Sequence, residues 1–391
     1  MPRSDKNRDI EVLRAFAISY VIATHWVPHF LGRFGAIGPA FQNYTALASG
    51  VDLFFCISGY VIAKSTLAAA SAEASLGSFA LPFWIRRVFR LWPSAWLWAL
   101  IPVALSVVWN RSGGFGATGP AVIDAGMAVL NVENFHYYHC LRTASCGPLG
   151  VYWSLSLEEQ FYWIFPILLL LVRRPVLMAT LAAAAAVQIL LPRPNSFSSA
   201  EPSLLWLIRT DAICLGILLA LLERAGRVVP VPSILRTPAR AGLVTLALLA
   251  VLATAAAPAW HLTRSTGLLA LASGALVWIA RFDRDLILPR TRLDPMVLWI
   301  GSRSYSLYLI HAVAGRTASE LRDRMVSLAP HAGQRLGPLA GVLLTIGLTI
   351  GLAELNFRLV ETPLRLLGRR IAGPFGRSAR PREAVAHAGT R

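Results

Sequence analysis

The sequence predicts an all-α membrane protein, a bundle of about ten transmembrane helices with both termini in the cytoplasm. Hydrophobic residues occupy 55% of the 391 positions and charged residues only 15%, a balance that is rare in soluble proteins. Apolar runs of about 20 residues recur along the chain, and each is long enough to cross a ~30 Å hydrocarbon core as a helix. The predicted crossings are 10–30, 46–66, 88–108, 151–172, 175–191, 205–223, 241–258, 266–281, 296–315 and 337–359.

The distribution of lysine and arginine predicts the topology. Most of the 37 basic residues fall in segments that share a side of the membrane with the N-terminus, and the C-terminal end is among them. Cytoplasmic loops are enriched in these residues, so both termini are predicted to be cytoplasmic. The net charge of +17 is thereby explained, and we do not expect nucleic acid binding. We predict a transmembrane domain at 8–367 and a basic, disordered cytoplasmic tail at 368–391.

The first crossing carries Arg14 and His25. They are eleven residues apart, about three helical turns, so they share one face and are separated by ~16 Å along the axis. With Arg14 near the cytoplasmic surface, His25 lies at mid-membrane or in the outer half. Titratable groups inside a bilayer are costly and mark functional sites. A hydrogen-bonded core histidine and a functional histidine fit the pattern equally well.

The next two crossings add a carboxylate and an arginine cluster. Asp52 lies near the outer end of the second crossing, and Arg86, Arg87 and Arg90 crowd the cytoplasmic end of the third. Arg87 and Arg90 are three residues apart on one helix face, which suits forked contacts to phosphate groups. Simple anchoring by positive charge on the inner side explains the same cluster.

The long outer loop at 109–150 contains Cys140 and Cys146. The outer side of a bacterial-type membrane is oxidising, so a disulfide between them is predicted. A metal site built from the two cysteines with His136 and His139 would fit no standard zinc spacing, and we expect no metal.

The fourth crossing begins with WSLSLEEQFYW at 153–163, in which Glu158 and Glu159 lie among apolar residues. Adjacent side chains on a helix point ~100° apart, so the two acids are not expected to share one partner. We expect one to face His25 and the other to pair with a buried cation, Arg303 or Arg209. The simplest alternative is a carboxylate pair, a turn or two below the outer surface, that reaches outer water.

Other polar and aromatic residues of this motif and of the ninth crossing are candidates for substrate contact. Trp153 and Tyr162 belong to an interfacial belt or stack on sugar rings. His311, in SYSLYLIH at 304–311, is a second buried histidine, for which a structural role is the simpler interpretation.

In order along the chain, these motifs resemble those of the acyltransferase family 3 integral membrane proteins, which include bacterial O-antigen and exopolysaccharide O-acetyltransferases. The resemblance covers about 8–367. It rests on Arg14 and His25 with ten residues between them, GVDLFFCISGYVI at 50–62, RRVFRLWP at 86–93, WSLSLEEQFYW at 153–163, SYSLYLIH at 304–311 and VETPLR at 360–365.

The resemblance implies an acyl-CoA-dependent O-acyltransferase in the bacterial cytoplasmic membrane. Such an enzyme moves an acyl group, commonly acetyl, from cytoplasmic acyl-CoA to a hydroxyl of a carbohydrate or glycosylated acceptor. An imidazole can take the hydroxyl proton or carry the acyl group, and both routes remain open for His25. The site residues expected on this basis are His25, Glu159 and Glu158 in catalysis; Arg14, Arg86, Arg87 and Arg90 in acyl-CoA binding; and Asp52, Trp153, Ser154, Tyr162 and His311 in acceptor binding.

Two other function classes suit the composition. A multi-span transporter or exporter could use the same buried histidine, glutamate and arginine groups as a relay, without acyl chemistry. A non-catalytic membrane component of a polysaccharide synthesis complex is the third possibility. The ordered set of motifs favours the acyltransferase.

Overall fold

A computed structural model describes residues 7–31, 36–69, 75–193, 202–227, 230–235, 237–328 and 330–377, and no strand occurs in these ranges. The helices are α1 (Arg8–Leu31), α2 (Ile37–Tyr44), α3 (Gly50–Ala69), α4 (Leu81–Val108), α5 (Thr118–Val129), α6 (Glu133–Thr143), α7 (Tyr152–Leu171), α8 (Arg174–Leu190), α9 (Leu204–Leu207), α10 (Asp211–Arg224), α11 (Pro238–Thr254), α12 (Ser265–Ala280), α13 (Asp294–Ser302), α14 (Ser304–Leu328), α15 (Pro330–Asn356) and α16 (Thr362–Arg377). The predicted all-α class is confirmed.

Five helical stretches of the described chain are long and apolar enough to cross a membrane: Arg8–Pro28, Leu47–Ala68, Leu76–Val108, Leu204–Arg224 and Leu339–Pro374. Three further apolar helices, α8, α11 and α12, are shorter. Helix α7 is not among these eight stretches, because the two glutamates and the glutamine of its motif lower its mean hydropathy. Each of the ten predicted runs coincides with helical structure, while the number of crossings and the side of each terminus stay predictions. Helix α16 continues to Arg377, and 378–391 lie outside the described residues.

Helices α3 and α10 pack backbone to backbone through glycine. A Cβ on Gly59 would lie 2.3 Å from the Ile213 carbonyl oxygen, and a Cβ on Gly216 would lie 2.1 Å from that of Cys56. Any larger residue would therefore force the two helices apart. Small residues allow this close approach, and dispersion contacts then hold helices together inside a membrane. This contact fixes α3, and with it one wall of the central cavity described below.

Ion pairs, one of them fully buried, connect helices that are distant in sequence. Arg209 donates to both carboxylate oxygens of Asp52, at 2.7 and 3.0 Å, and both side chains are almost fully buried. Arg303 donates to Glu354 at 3.0 Å. The expectation that Arg209 or Arg303 would pair with Glu158 or Glu159 is therefore wrong. Each arginine is already neutralised by another carboxylate, which removes the cost of an unpaired buried charge.

The predicted outer loop, 109–150, folds as a helical hairpin, α5 and α6, against α4 and α7. The predicted disulfide between Cys140 and Cys146 is confirmed, so the metal site that would have used both cysteines is excluded.

This hairpin changes the depth at which α7 begins. Thr118, at the start of α5, lies beside Ser106 at the far end of α4, whereas the Tyr152 hydroxyl donates to the Ala95 carbonyl oxygen. Ala95 is about 21 Å along α4, which is ~42 Å long. The expected position of the glutamates just below the outer surface is corrected, because the connection folds back along α4 before α7 starts.

Candidate active site

A central cavity lies between α3, α4, α7 and α14. The polar side chains that line it include Arg14, Ser58, Arg87, Arg90, Trp92, Ser154, Glu158, Glu159, Tyr162 and Tyr308. Most of these come from the motifs singled out in the sequence. The fold therefore brings residues from five separate segments, α1, α3, α4, α7 and α14, to one cavity.

A second cavity opens at the N-terminal end of α4, which is predicted to be cytoplasmic, and arginine dominates its lining. It is bordered by Arg86, Arg87, Arg90, Arg365 and Arg369. The first three were predicted to act together, whereas the two on α16 were missed. Their spacing of four residues places both on one helix face, a signal that could have been used. Since Arg87 and Arg90 border both cavities, the arginine cluster adjoins the central cavity.

Glu158 and Glu159 both line the central cavity. The Tyr162 hydroxyl donates to Glu158 and also contacts the Ser58 hydroxyl, forming a short polar chain. Glu159 accepts a hydrogen bond from Trp92 Nε1 at 3.1 Å. The two side chains point in different directions from α7, and both still line the cavity.

Arg87 lines the same cavity as these acids. Its guanidinium lies over the rings of Phe83 and Tyr162, 5.5 and 5.2 Å from their centroids. It interacts electrostatically with both Glu158 and Glu159. The structure therefore gives the two acids a common cationic neighbour, which the sequence argument had excluded.

His25 and His311 meet edge to face, with ring centroids 4.9 Å apart. His311 is fully buried, and His25 is exposed. His311 Nδ1 lies 2.7 Å from the Tyr308 carbonyl oxygen, which can only accept, so Nδ1 carries the proton of the neutral ring. His311 Nε2 then accepts from His25 Nδ1 at 3.3 Å.

These contacts assign the tautomer of His25. Its Nδ1 also lies 2.9 Å from the Val21 carbonyl oxygen, a second acceptor, so the proton of the neutral ring belongs on Nδ1. The basic lone pair of His25 is then on Nε2. Such a ring can take a proton or act as a nucleophile.

Tyr308 separates the histidines from the cavity. Its hydroxyl donates to the Val151 carbonyl oxygen at 2.9 Å and contacts Ser154, and its ring centroid lies 5.8 Å from that of His311. The cavity thus ends one side chain from the histidine pair. His25 lies beyond Tyr308, so the predicted direct contact between a glutamate and His25 is replaced by this intervening tyrosine.

Of the remaining predicted site residues, one lines the central cavity and two lie in the core. Arg14 lines the central cavity and is paired with Glu11 at 2.9 Å. Asp52 has both oxygens engaged by Arg209, and Trp153 packs against Trp206 with centroids 5.0 Å apart. Asp52 and Trp153 therefore belong to the core and not to the cavity lining, because both contact the buried Arg209.

Comparison with known proteins identifies the relatives of this chain. A family model described as an acyltransferase domain matches residues 7–353. The peptidoglycan O-acetyltransferase OatA of Listeria monocytogenes is 28% identical over 92% of this chain and 56% of its own length. The O-acetyltransferase OatA of Staphylococcus aureus is 24% identical, with 92% and 57% covered. The putative peptidoglycan O-acetyltransferase YrhL of Bacillus subtilis is 27% identical, with 92% and 55% covered. The chain thus spans little more than half the length of these relatives, and no solved structure matches it.

Proposed function

Because this chain belongs to acyltransferase family 3, whose domain model covers residues 7–353, we propose that it is a membrane O-acyltransferase. Its donor is cytoplasmic acyl-CoA, its transferred group is acetyl, and its acceptor is a hydroxyl of a cell-envelope carbohydrate. The names of the relatives specify O-acetyl transfer, in two cases to peptidoglycan, and these names support the choice of group and acceptor. The enzyme acts within a bacterial cytoplasmic membrane.

The arginine cluster supports acyl-CoA as the donor. Coenzyme A carries several phosphates, and guanidinium groups bind phosphate through paired, charge-assisted hydrogen bonds. Arg86 and Arg369 are exposed, while Arg87, Arg90 and Arg365 are half-buried between them and the central cavity. The phosphates bind at these arginines, and the pantetheine arm extends along the central cavity towards Tyr308.

The histidine pair supports the chemistry. His25 Nε2 takes the proton of the acceptor hydroxyl while the oxygen attacks the thioester carbonyl carbon. The C–S bond then breaks, and the proton passes from His25 to the leaving thiolate. Transfer through an acyl-imidazole is the other route: Nε2 attacks the thioester and the C–S bond breaks to release the thiolate of coenzyme A. The acceptor hydroxyl then attacks the acyl-imidazole, takes the acyl group and releases Nε2. In both routes His311 acts as a positioning residue, because it holds the proton of His25 on Nδ1.

One observation carries the proposal: an exposed histidine with an assigned basic nitrogen lies one tyrosine beyond a cavity whose other end is an arginine cluster. A donor bound from the cytoplasm extends along the cavity as far as Tyr308, and an acceptor approaches the histidine from its exposed side. A reaction across the membrane needs this geometry.

The test is acetyl transfer by the purified protein in lipid vesicles, with labelled acetyl-CoA and either peptidoglycan fragments or other envelope oligosaccharides. We expect His25→Ala to lower turnover by ~10²-fold or more, the usual contribution of a general base. His311→Gln should lower turnover by less and leave the KM for acetyl-CoA unchanged. His139→Ala, which changes an exposed histidine of α6, is the matched control and should behave as wild type.

Two results would overturn the proposal. Wild-type turnover in a correctly inserted His25→Ala variant would exclude this histidine from the chemistry. Absence of acetyl transfer by the wild-type protein to every acceptor, together with passage of a glycan across the vesicle membrane, would support the transporter instead.

A further inference from the structure

Three potential metal ligands lie together in the hairpin of α5 and α6. Asp124, Glu133 and His136 each offer one ligand atom, and these atoms lie within 4.8 Å of one another. Asp124 and Glu133 are almost fully buried, and His136 Nε2 lies 3.1 Å from an oxygen of Asp124. None of the three lines the central cavity or the arginine cavity, so the proposed transfer reaction does not account for them.

Glu133 needs a partner that the described residues do not provide. Both of its carboxylate oxygens are buried without a hydrogen-bond partner in that part of the chain. A buried carboxyl group left unsatisfied costs several kcal/mol in either protonation state.

Arg316, the described cation that acts on Asp124, does not supply this partner. Arg316 interacts electrostatically with Asp124, and its Nη1 donates to the Gly114 carbonyl oxygen at 2.6 Å. Arg316 therefore offsets the negative charge of Asp124 but not that of Glu133. A bound cation would satisfy the two free oxygens and the remaining negative charge together.

We propose that Asp124, Glu133 and His136 bind a divalent transition-metal ion. Two carboxylates and one imidazole form a donor set that Zn²⁺ accepts, with bonds of ~2.0–2.2 Å to oxygen and nitrogen. Ligands of such an ion lie ~3–4 Å apart, so small side-chain rotations close the observed arrangement around it. Carboxylate-rich sites also suit Mn²⁺, which is the second ion to test.

The surroundings of Asp124 orient it for this role. Its two oxygens accept backbone hydrogen bonds from Gly147 at 3.2 Å and Leu149 at 3.0 Å. Outer hydrogen bonds of this kind fix the geometry of metal ligands. Gly147 and Leu149 lead into α7, and the Glu133 backbone N–H donates to Ser156 of α7 at 3.1 Å. The ion would therefore stabilise the segment that sets the depth of Glu158 and Glu159.

The proposal is tested by measuring metal content and thermal stability of the full chain in detergent, with any affinity tag removed. After chelation and dialysis, Zn²⁺ or Mn²⁺ is added back and quantified by mass spectrometry. We expect about one ion per chain, and a metal-dependent rise in Tm on the order of a few degrees. Binding should be independent of acyl-CoA.

Matched variants give the test its specificity. Glu133→Gln and His136→Gln should each weaken metal binding by more than the ~10–100-fold that follows loss of an outer-shell partner, and should abolish the rise in Tm. His139→Gln alters an exposed histidine one turn further along α6 and should bind as wild type. The proposal is overturned if the folded wild-type chain takes up neither ion, or if His136→Gln binds metal as tightly as His139→Gln does.

Discussion

Arg87 is surrounded in the central cavity by two aromatic rings and two carboxylates. Two aromatic rings lie within 5.5 Å of its guanidinium, and the charges of Glu158 and Glu159 both act on it. A buried cation that loses its counter-charge is strongly destabilising, whereas removing both partners together is often tolerated. Glu158 and Glu159 therefore have a structural role that can be measured separately from any contact with substrate.

This dependence predicts non-additive effects on stability. Arg87→Gln and Glu159→Gln should each lower the Tm, and the double variant should lower it by less than the sum, with a coupling of ~0.5–3 kcal/mol. Thermal unfolding of the four proteins in detergent measures the coupling. The control pair is Arg87→Gln with Glu320→Gln. Glu320 accepts a hydrogen bond from the Ser112 backbone N–H in the predicted outer loop, so the losses of Tm in this pair should add. Additive losses of Tm in the first pair would show that Arg87 and Glu159 do not interact.

At the scale of elements, the packing of α16 against α4 completes the arginine cluster. A Cβ on Gly368 would lie 2.4 Å from the Phe89 Cβ, so only glycine allows the two helices to approach this closely. Arg365 and Arg369 flank this contact and face the second cavity. Under the proposed function, the affinity for acyl-CoA therefore depends on a residue that carries no charge.

Gly368→Leu should therefore weaken acetyl-CoA binding without altering any arginine. We expect a loss of ~10-fold or more, since one charge-assisted hydrogen bond contributes about 1.5–3 kcal/mol. The control is Gly373→Leu on the same helix, where a Cβ meets nothing within 4 Å. Calorimetric titration, with size-exclusion chromatography to check folding, compares the two. Equal affinities in both variants would mean that α16 does not help to bind the donor.

At the scale of the whole molecule, the sidedness of the proposed reaction depends on the topology. The cysteines make this topology measurable, because Cys140 and Cys146 form a disulfide while Cys56 and Cys214 are buried. A membrane-impermeant thiol reagent should therefore leave the wild-type protein unlabelled.

Introduced cysteines should then report each side separately. Ala117→Cys, at an exposed position beside α5, should be labelled in cells whose outer surface is accessible. Gly373→Cys, exposed on α16, should be labelled only after the cytoplasmic side is opened. Both follow from the excess of lysine and arginine on the cytoplasmic side. Labelling of Gly373→Cys in intact cells would reverse the orientation and place the arginine cluster outside.

Local sequence was sufficient for the helical class, the disulfide and the family. Apolar runs of span length predict helices because a backbone in lipid must satisfy its own hydrogen bonds. Cys140 and Cys146 are close in sequence, so their pairing needed no knowledge of the rest of the fold. The ordered motifs likewise depend only on residue identity and spacing, and they are sufficient to identify the family.

Tertiary structure alone decided how these residues are partnered. Asp52 and Arg209 are 157 positions apart, and His25 and His311 are 286 apart, so their contacts depend on how helices rotate and cross. The depth of Glu158 and Glu159 was decided by a hairpin that folds back along α4, which hydropathy does not encode. Spacing fixes which face of a helix a residue occupies, but only the packing of all the helices determines what that face meets.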